Sequence, residues 1–202
     1  FLGPKVFDAN FQNTTDYLDG GKMNPGNGSS TGRFQAGMHL RRNTRLNCYN
    51  SVVAGWPIGL ILDSEKGNTQ KAATDGLLQL HRIVFAGTDL TGSDFNKVYK
   101  DELYDYKTKT TDPSKKSFSS TFFLLPANGN KVVDQWVARS WQGIQSIIAA
   151  STSVGGALQG SFAELQSNNW FDKSATFVGA FRDASDDWTA GWANFDPENT
   201  IY

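Results

Sequence analysis

The chain has 202 residues, with 19 Lys+Arg against 20 Asp+Glu and a formal net charge of -1. That balance excludes nucleic-acid binding driven by bulk charge. Hydrophobic residues make up 39% and aromatics 13%, enough for a sizeable core, which excludes disorder, collagen and coiled coil. No apolar run approaches the ~20 residues that cross a bilayer.

The chain opens on Phe1-Leu2-Gly3-Pro4, an apolar pair running straight into a turn signal. This reads as the end of a strand, with an N-terminal part expected before it. Residues 12–33 are polar and glycine-rich and read as a loop between strands. Residues 34–63 carry the strongest strand signal. Short β-branched or alternating runs there are broken by Gly, Asn and Pro, as in Met38-His39-Leu40-Arg41 and Gly59-Leu60-Ile61-Leu62. Cys48 lies in Leu46-Asn47-Cys48-Tyr49 and is the single cysteine. It excludes an intrachain disulfide and reads as a small buried apolar residue.

Residues 45–55 align without gaps on residues 77–87, at a spacing of 32. Leu46 meets Leu78, Val52 meets Val84, and Ala54-Gly55 meets Ala86-Gly87. A period of this size predicts a solenoid, and strand-only repeats predict a parallel β-helix. A β-sandwich is the competing architecture.

Residues 88–120 turn polar and charged, and are predicted to be a long insertion with a short helix over 94–106. Phe122-Phe123-Leu124-Leu125 reads as a buried strand ended by Pro126. Over 132–150, Val133, Trp136, Val137, Trp141, Ile144, Ile147 and Ile148 approximate helical spacing. Residues 176–181 read as a strand. Asp186-Asp187-Trp188 opens a predicted short helix, with Trp192 four residues after Trp188 on the same side.

Two segments resemble a known family. One runs from Met38-His39-Leu40-Arg41-Arg42-Asn43-Thr44 through Tyr49-Asn50-Ser51-Val52 to Gly55-Trp56-Pro57-Ile58-Gly59-Leu60. The other joins 177–181, Asp187-Trp188-Thr189-Ala190-Gly191-Trp192 and Phe195-Asp196-Pro197-Glu198-Asn199-Thr200. Together they resemble the C-terminal half of an uncharacterised family of right-handed parallel β-helix proteins, exported to the cell surface by Bacteroidetes-type bacteria. The resemblance covers about 60% of the chain and weakens across 90–165. It implies a mainly β fold: the C-terminal rungs of a right-handed parallel β-helix, with a long insertion and a short helical, Trp-rich C-terminal cap. Residues 1–202 would then form a single β-helix portion. Its rungs lie over 1–87, the insertion over 88–120 and the last rungs and cap over 121–202, with earlier rungs expected before Phe1. It implies an extracellular or outer-membrane location and no particular reaction.

Five residues stand out as ligand-binding candidates. Arg41, Arg42 and Arg45 form a basic knot, read either as surface arginines paired with neighbouring carboxylates or as an anion or acidic-sugar site. Neighbouring strand residues point opposite ways, so a turn at Arg42-Asn43 is expected. Trp188 and Trp192 belong to a group of five tryptophans in the last third of the chain. Large aromatics either fill a cap or stack on the apolar faces of sugars. No catalytic residue is assigned. Asp183, Asp186 and Asp187 read as a solvated turn capping a helix; calcium, which wants several hard oxygen ligands, is the alternative. His39 and His81 lie in different strands without metal-ligand spacing and read as structural.

The expected function is a non-enzymatic cell-surface or secreted protein, a binding module or a subunit of an outer-membrane-associated assembly. Its partners would be envelope proteins, a missing N-terminal segment or a glycan. A polysaccharide lyase or glycosidase is the alternative. It needs paired carboxylates, or a basic residue beside calcium, and the sequence pairs neither.

Overall fold

The computed structural model describes residues 1, 3, 36–56, 58–88, 91–92, 104–105, 110–111, 117–134 and 144–194. In chain order these form β1 (Ala36–Leu40), β2 (Asn47–Ala54), β3 (Ile58–Leu62), α1 (Thr69–Thr74), β4 (Gln79–Ala86), β5 (Tyr104–Asp105), β6 (Thr110–Thr111), α2 (Phe118–Phe123), β7 (Lys131–Val133) and α3 (Ile144–Gly155). Two short 3-10 turns, Pro126–Asn128 and Ala163–Leu165, complete the set. The strand-rich stretch over 34–63 becomes β1, β2 and β3.

The expected β-helix is not what forms. Among the described residues the strands make a two-stranded parallel sheet, β1-β3, and a three-stranded parallel sheet, β2-β4-β7. A separate antiparallel pair joins β5 to β6. The spacing of 32 is the register of one strand pair, Asn47↔Gln79 through Ala54↔Ala86. It does not propagate: Ala36 pairs with Ile58 and Val84 with Lys131, offsets of 22 and 47 residues. A solenoid needs a repeating unit that stacks on its own copy, and these unequal offsets supply none. One sequence match between two neighbouring strands reports only that they share an environment.

That shared environment is burial on two faces. Val53, Ile83 and Phe85 face a cluster with Met38, Leu60, Leu62, Leu78, Leu80, Phe122 and Phe123. Val52, Ala54, Val84 and Ala86 face the other way, onto Val154 and Val178. Alternate residues thus enter two different cores, which is why β2 and β4 end as unbroken apolar runs. The β1-β3 sheet and α2 cover the first face, and α3 with the chain around Val178 covers the second.

Several local expectations need correction. Residues 122–125 are not a strand. Ser117 caps α2, its Oγ accepting the Ser120 N–H at 3.2 Å. Phe122 and Phe123 are buried in α2, while Leu124 and Leu125 are exposed beyond its end. Residues 176–181 are irregular rather than extended. Their backbone is bonded at isolated points rather than in a ladder, among them Gly160 N–H to Thr176 O at 3.0 Å and Gly179 N–H to Asn50 O at 2.8 Å. Val132 and Val133 belong to β7, and the helix begins at Ile144. The loop over 12–33 lies outside the described residues, as do Trp136 and Trp141. So does the helix expected over 94–106, except for Tyr104 and Asp105, which are in β5.

Packing at the first core is close. The rings of Phe85 and Phe123 stack at 3.9 Å with 10° between their planes. Phe85 lies directly on the backbone of β3, where a Cβ on Gly59 would sit 2.2 Å from its ring carbons. Gly59→Ala is therefore an overpacking change, expected to cost about 1–3 kcal/mol. Phe123→Ala, which opens a cavity beside Phe85, is expected to cost about 3–5 kcal/mol. Urea denaturation of both variants checks the pair.

Candidate functional site

The two tryptophans come together. Trp188 and Trp192 stack with ring centroids 5.5 Å apart, and Trp188 rests on Phe181 at 6.1 Å. Turns, not the expected helix, carry them. Each indole N–H is tied down: Trp188 Nε1 donates to Ala180 O and Trp192 Nε1 to Trp188 O, both at 2.9 Å. Trp188 and Trp192 nevertheless remain 53% and 69% exposed. Their N–H groups are tethered within the protein while much of each residue stays at the surface.

A repeated pattern organises the surrounding chain. In Asp172-Lys173-Ser174, Asp183-Ala184-Ser185 and Asp187-Trp188-Thr189, the first Oδ1 accepts both the backbone N–H and the hydroxyl two residues on. These are side-chain turns of the kind Asp favours ahead of Ser or Thr. The Ser174 and Ser185 hydroxyls hold the Asp172 and Asp183 carboxyls below their usual range. Asp186 accepts the Arg182 N–H at 2.9 Å. All three candidate calcium carboxylates thus carry local bonds. Among the described residues no group of three or more His, Cys, Asp or Glu is placed to hold a metal ion. The D-x-S/T spacing was present in the sequence as a signal for these turns.

The three arginines do not act as one site. The expected turn is there, with Arg42 and Asn43 both left-handed at φ 56° and 62°. It leaves Arg42 and Arg45 exposed. Arg41 faces carboxylates instead: its Nε lies 3.6 Å from Asp63 Oδ2 and its guanidinium 3.9 Å from Glu65. Asp63 is fully buried at the end of β3, and His39 Nε2 reaches the same oxygen at 3.3 Å. Burial pushes the His39 ring below its ordinary value, against the pull of Asp63.

A second cluster was not foreseen as a unit. Asn50 and Arg82 occupy equivalent places in β2 and β4, and both are left-handed, at φ 48° and 55°. One left-handed residue acts as a bulge that shifts the alternation by one. Leu80 points into the first core, His81 away, and Ile83 into the same core again. Side chains close the gap in the ladder. Asn50 Oδ1 accepts from Arg82 Nε at 3.3 Å and from Ser161 N at 3.0 Å. On the far side of β4, Asn130 Oδ1 accepts the Ile83 N–H at 2.8 Å, while its Nδ2 donates to Leu80 O and Phe123 O at 3.0 Å.

Arg82 then reaches outward. Its Nε donates to Ser161 O at 2.8 Å, and its two terminal nitrogens fork onto the two oxygens of Glu164. This hydrogen bond holds the Glu164 carboxyl below its ordinary value. Tyr49 and His81, the outward pair before the bulge, stack at 5.4 Å with 14° between planes. Phe162 and Phe171 pack on Tyr49 at 6.2 and 6.3 Å, and the Tyr49 hydroxyl donates to Gln79 Oε1. Burial pushes the Tyr49 hydroxyl up, and Glu164 adds to the shift. The sequence signal was available: Asn favours left-handed backbone, and Asn50 aligns on Arg82 at the offset of 32. Nothing in the sequence placed residues 161–171 against them.

Cys48 lies half-buried in β2 with Sγ 3.3 Å from Ser51 Oγ, and burial pushes its thiol up. That is the environment of a structural cysteine.

Two variants at Asn50 separate backbone from side chain. Asn50→Gly keeps the left-handed conformation but leaves the Ser161 N–H without its acceptor, and is expected to cost about 1–3 kcal/mol. Asn50→Ala adds the left-handed penalty, about 1–2 kcal/mol more. Equilibrium denaturation is expected to rank stability in the order wild type, Gly, Ala. Compared with protein-family models, curated proteins and solved structures, the chain matches none of them.

Proposed function

We propose that the chain is a non-enzymatic binding module of a secreted or cell-surface bacterial protein, and that its ligand is a glycan stacking on Trp188 and Trp192. The observation that carries this reading is the tethered, open pair of indoles. Their N–H groups are already bonded within the protein, so what they offer a ligand is apolar ring face. Sugar rings present matching apolar C–H faces. A side chain fixed before binding loses little conformational entropy when the ligand arrives. The surface location rests on the two motifs that resemble exported bacterial proteins, together with a composition of 20 glycines and few charges. A glycan partner suits that location, and envelope proteins remain partners of the same module.

Tryptophan fluorescence titrated with neutral hexasaccharides of glucose, mannose and N-acetylglucosamine tests the proposal. At least one is expected to shift the emission. Trp192→Ala is expected to weaken that binding about tenfold or more, equivalent to about 1.4 kcal/mol, while Arg42→Ala leaves it unchanged. Failure of all three sugars to bind, or equal binding by Trp192→Ala, overturns the reading.

A further inference from the structure

The docked segment 161–171 meets an imidazole in an unusual setting. His81 Nδ1 is buried and has no hydrogen-bond partner among the described residues. The Glu164 carboxylate faces it, with Oε1 at 3.8 Å. The ring is stacked on Tyr49, which in turn carries Phe162 and Phe171. We propose that His81 is an acid-operated release for segment 161–171, which docks on Tyr49, His81 and Arg82 at neutral pH and loosens when the imidazole takes a proton.

The groups that face His81 decide the direction. From β2 comes the Tyr49 ring, from β4 the Arg82 guanidinium, from the Ala163–Leu165 turn the Glu164 carboxylate, and from the Pro126–Asn128 turn the Ala127 carbonyl. Glu164 and Ala127 favour a charged ring. Burial and Arg82 disfavour it, and burial is the largest effect. The attraction of Glu164 is limited because both its oxygens already accept from Arg82. A protonated His81 would therefore sit beside a guanidinium, in an aromatic stack, before a carboxylate already engaged. Undocking the segment returns water to the ring.

The sign follows from linkage. The docked state holds its proton less readily than the undocked state, so docking is fully supported above the ordinary histidine value of about 6.5 and weakens as pH falls below it. Glu164 works in the same sense, but only as pH falls below the ordinary glutamate value of about 4.3. Of the groups between the segment and β4, His81 is the one whose ordinary value, about 6.5, lies between pH 7.5 and 5.5. His39 sits against Asp63 instead.

Hydrogen–deuterium exchange at pH 7.5 and 5.5, corrected for the intrinsic rate, reads the docking directly. Amides of 161–171 are expected to exchange at least about fivefold faster at pH 5.5 while those of β4 keep their protection. In His81→Phe, which keeps the stack without the titration, the acceleration should vanish. Unchanged exchange in the wild type, an acceleration shared by β4, or one retained in His81→Phe overturns the proposal. Should His81→Phe fail to fold, an NMR titration of the two imidazoles in the wild type decides. A His81 midpoint below 6.5 supports the release, and one at or above 6.5 overturns it.

Discussion

The constraint on which most of this structure turns is the pair of left-handed residues, Asn50 and Arg82, stacked at one level of the β2-β4 ladder. A regular strand would send every second side chain to the same face throughout its length. The paired bulge interrupts that rule in both strands at once, so pairing resumes in register on the other side. Before it, Tyr49 and His81 point away from the first core. After it, Val53 and Phe85 point into that core, and Val52 and Val84 into the second.

The bulge also explains where the polar side chains are used. Breaking a ladder inside a folded domain leaves donors and acceptors that cost heavily if left bare. Asn50, Asn130 and Arg82 supply them from three different segments. In doing so they bind the chain around Ser161 and Glu164 to β4, and the α2 region to the same strand through Phe123 O. Among the described residues, side-chain amides and the Arg82 guanidinium thus join segments distant in the chain, alongside the apolar packing. The buried Asp63, facing His39 and Arg41, does the same at the end of β3.

Residues of the same chemical kind meet different fates. Arg41 turns to carboxylates, Arg82 forks onto one, and Arg42 and Arg45 lie in or beside a left-handed turn at the surface. Trp188 and Trp192 have their polar atoms bonded inside the protein and their rings outside.

The sequence by itself determined the strands over 34–63, the turn at Arg42-Asn43, the apolar ends of β2 and β4, and the kinship of residues 45–55 and 77–87. Each of these depends on neighbours within a few residues, or on burial that any two equivalent strands share. It misread residues 122–125 as a strand because a short apolar run does not reveal its period. It extended one strand match into a solenoid because a local likeness carries no information about what stacks beyond it. Only the tertiary structure decided that the offsets are unequal, that His81 stands between Tyr49 and Glu164, and that 161–171 closes over them. The fork of Arg82 onto Glu164 joins residues 82 positions apart in the chain. Loop-closure entropy changes so slowly with length that partners at such separation are selected by tertiary packing and polar pairing, which no local stretch of sequence displays.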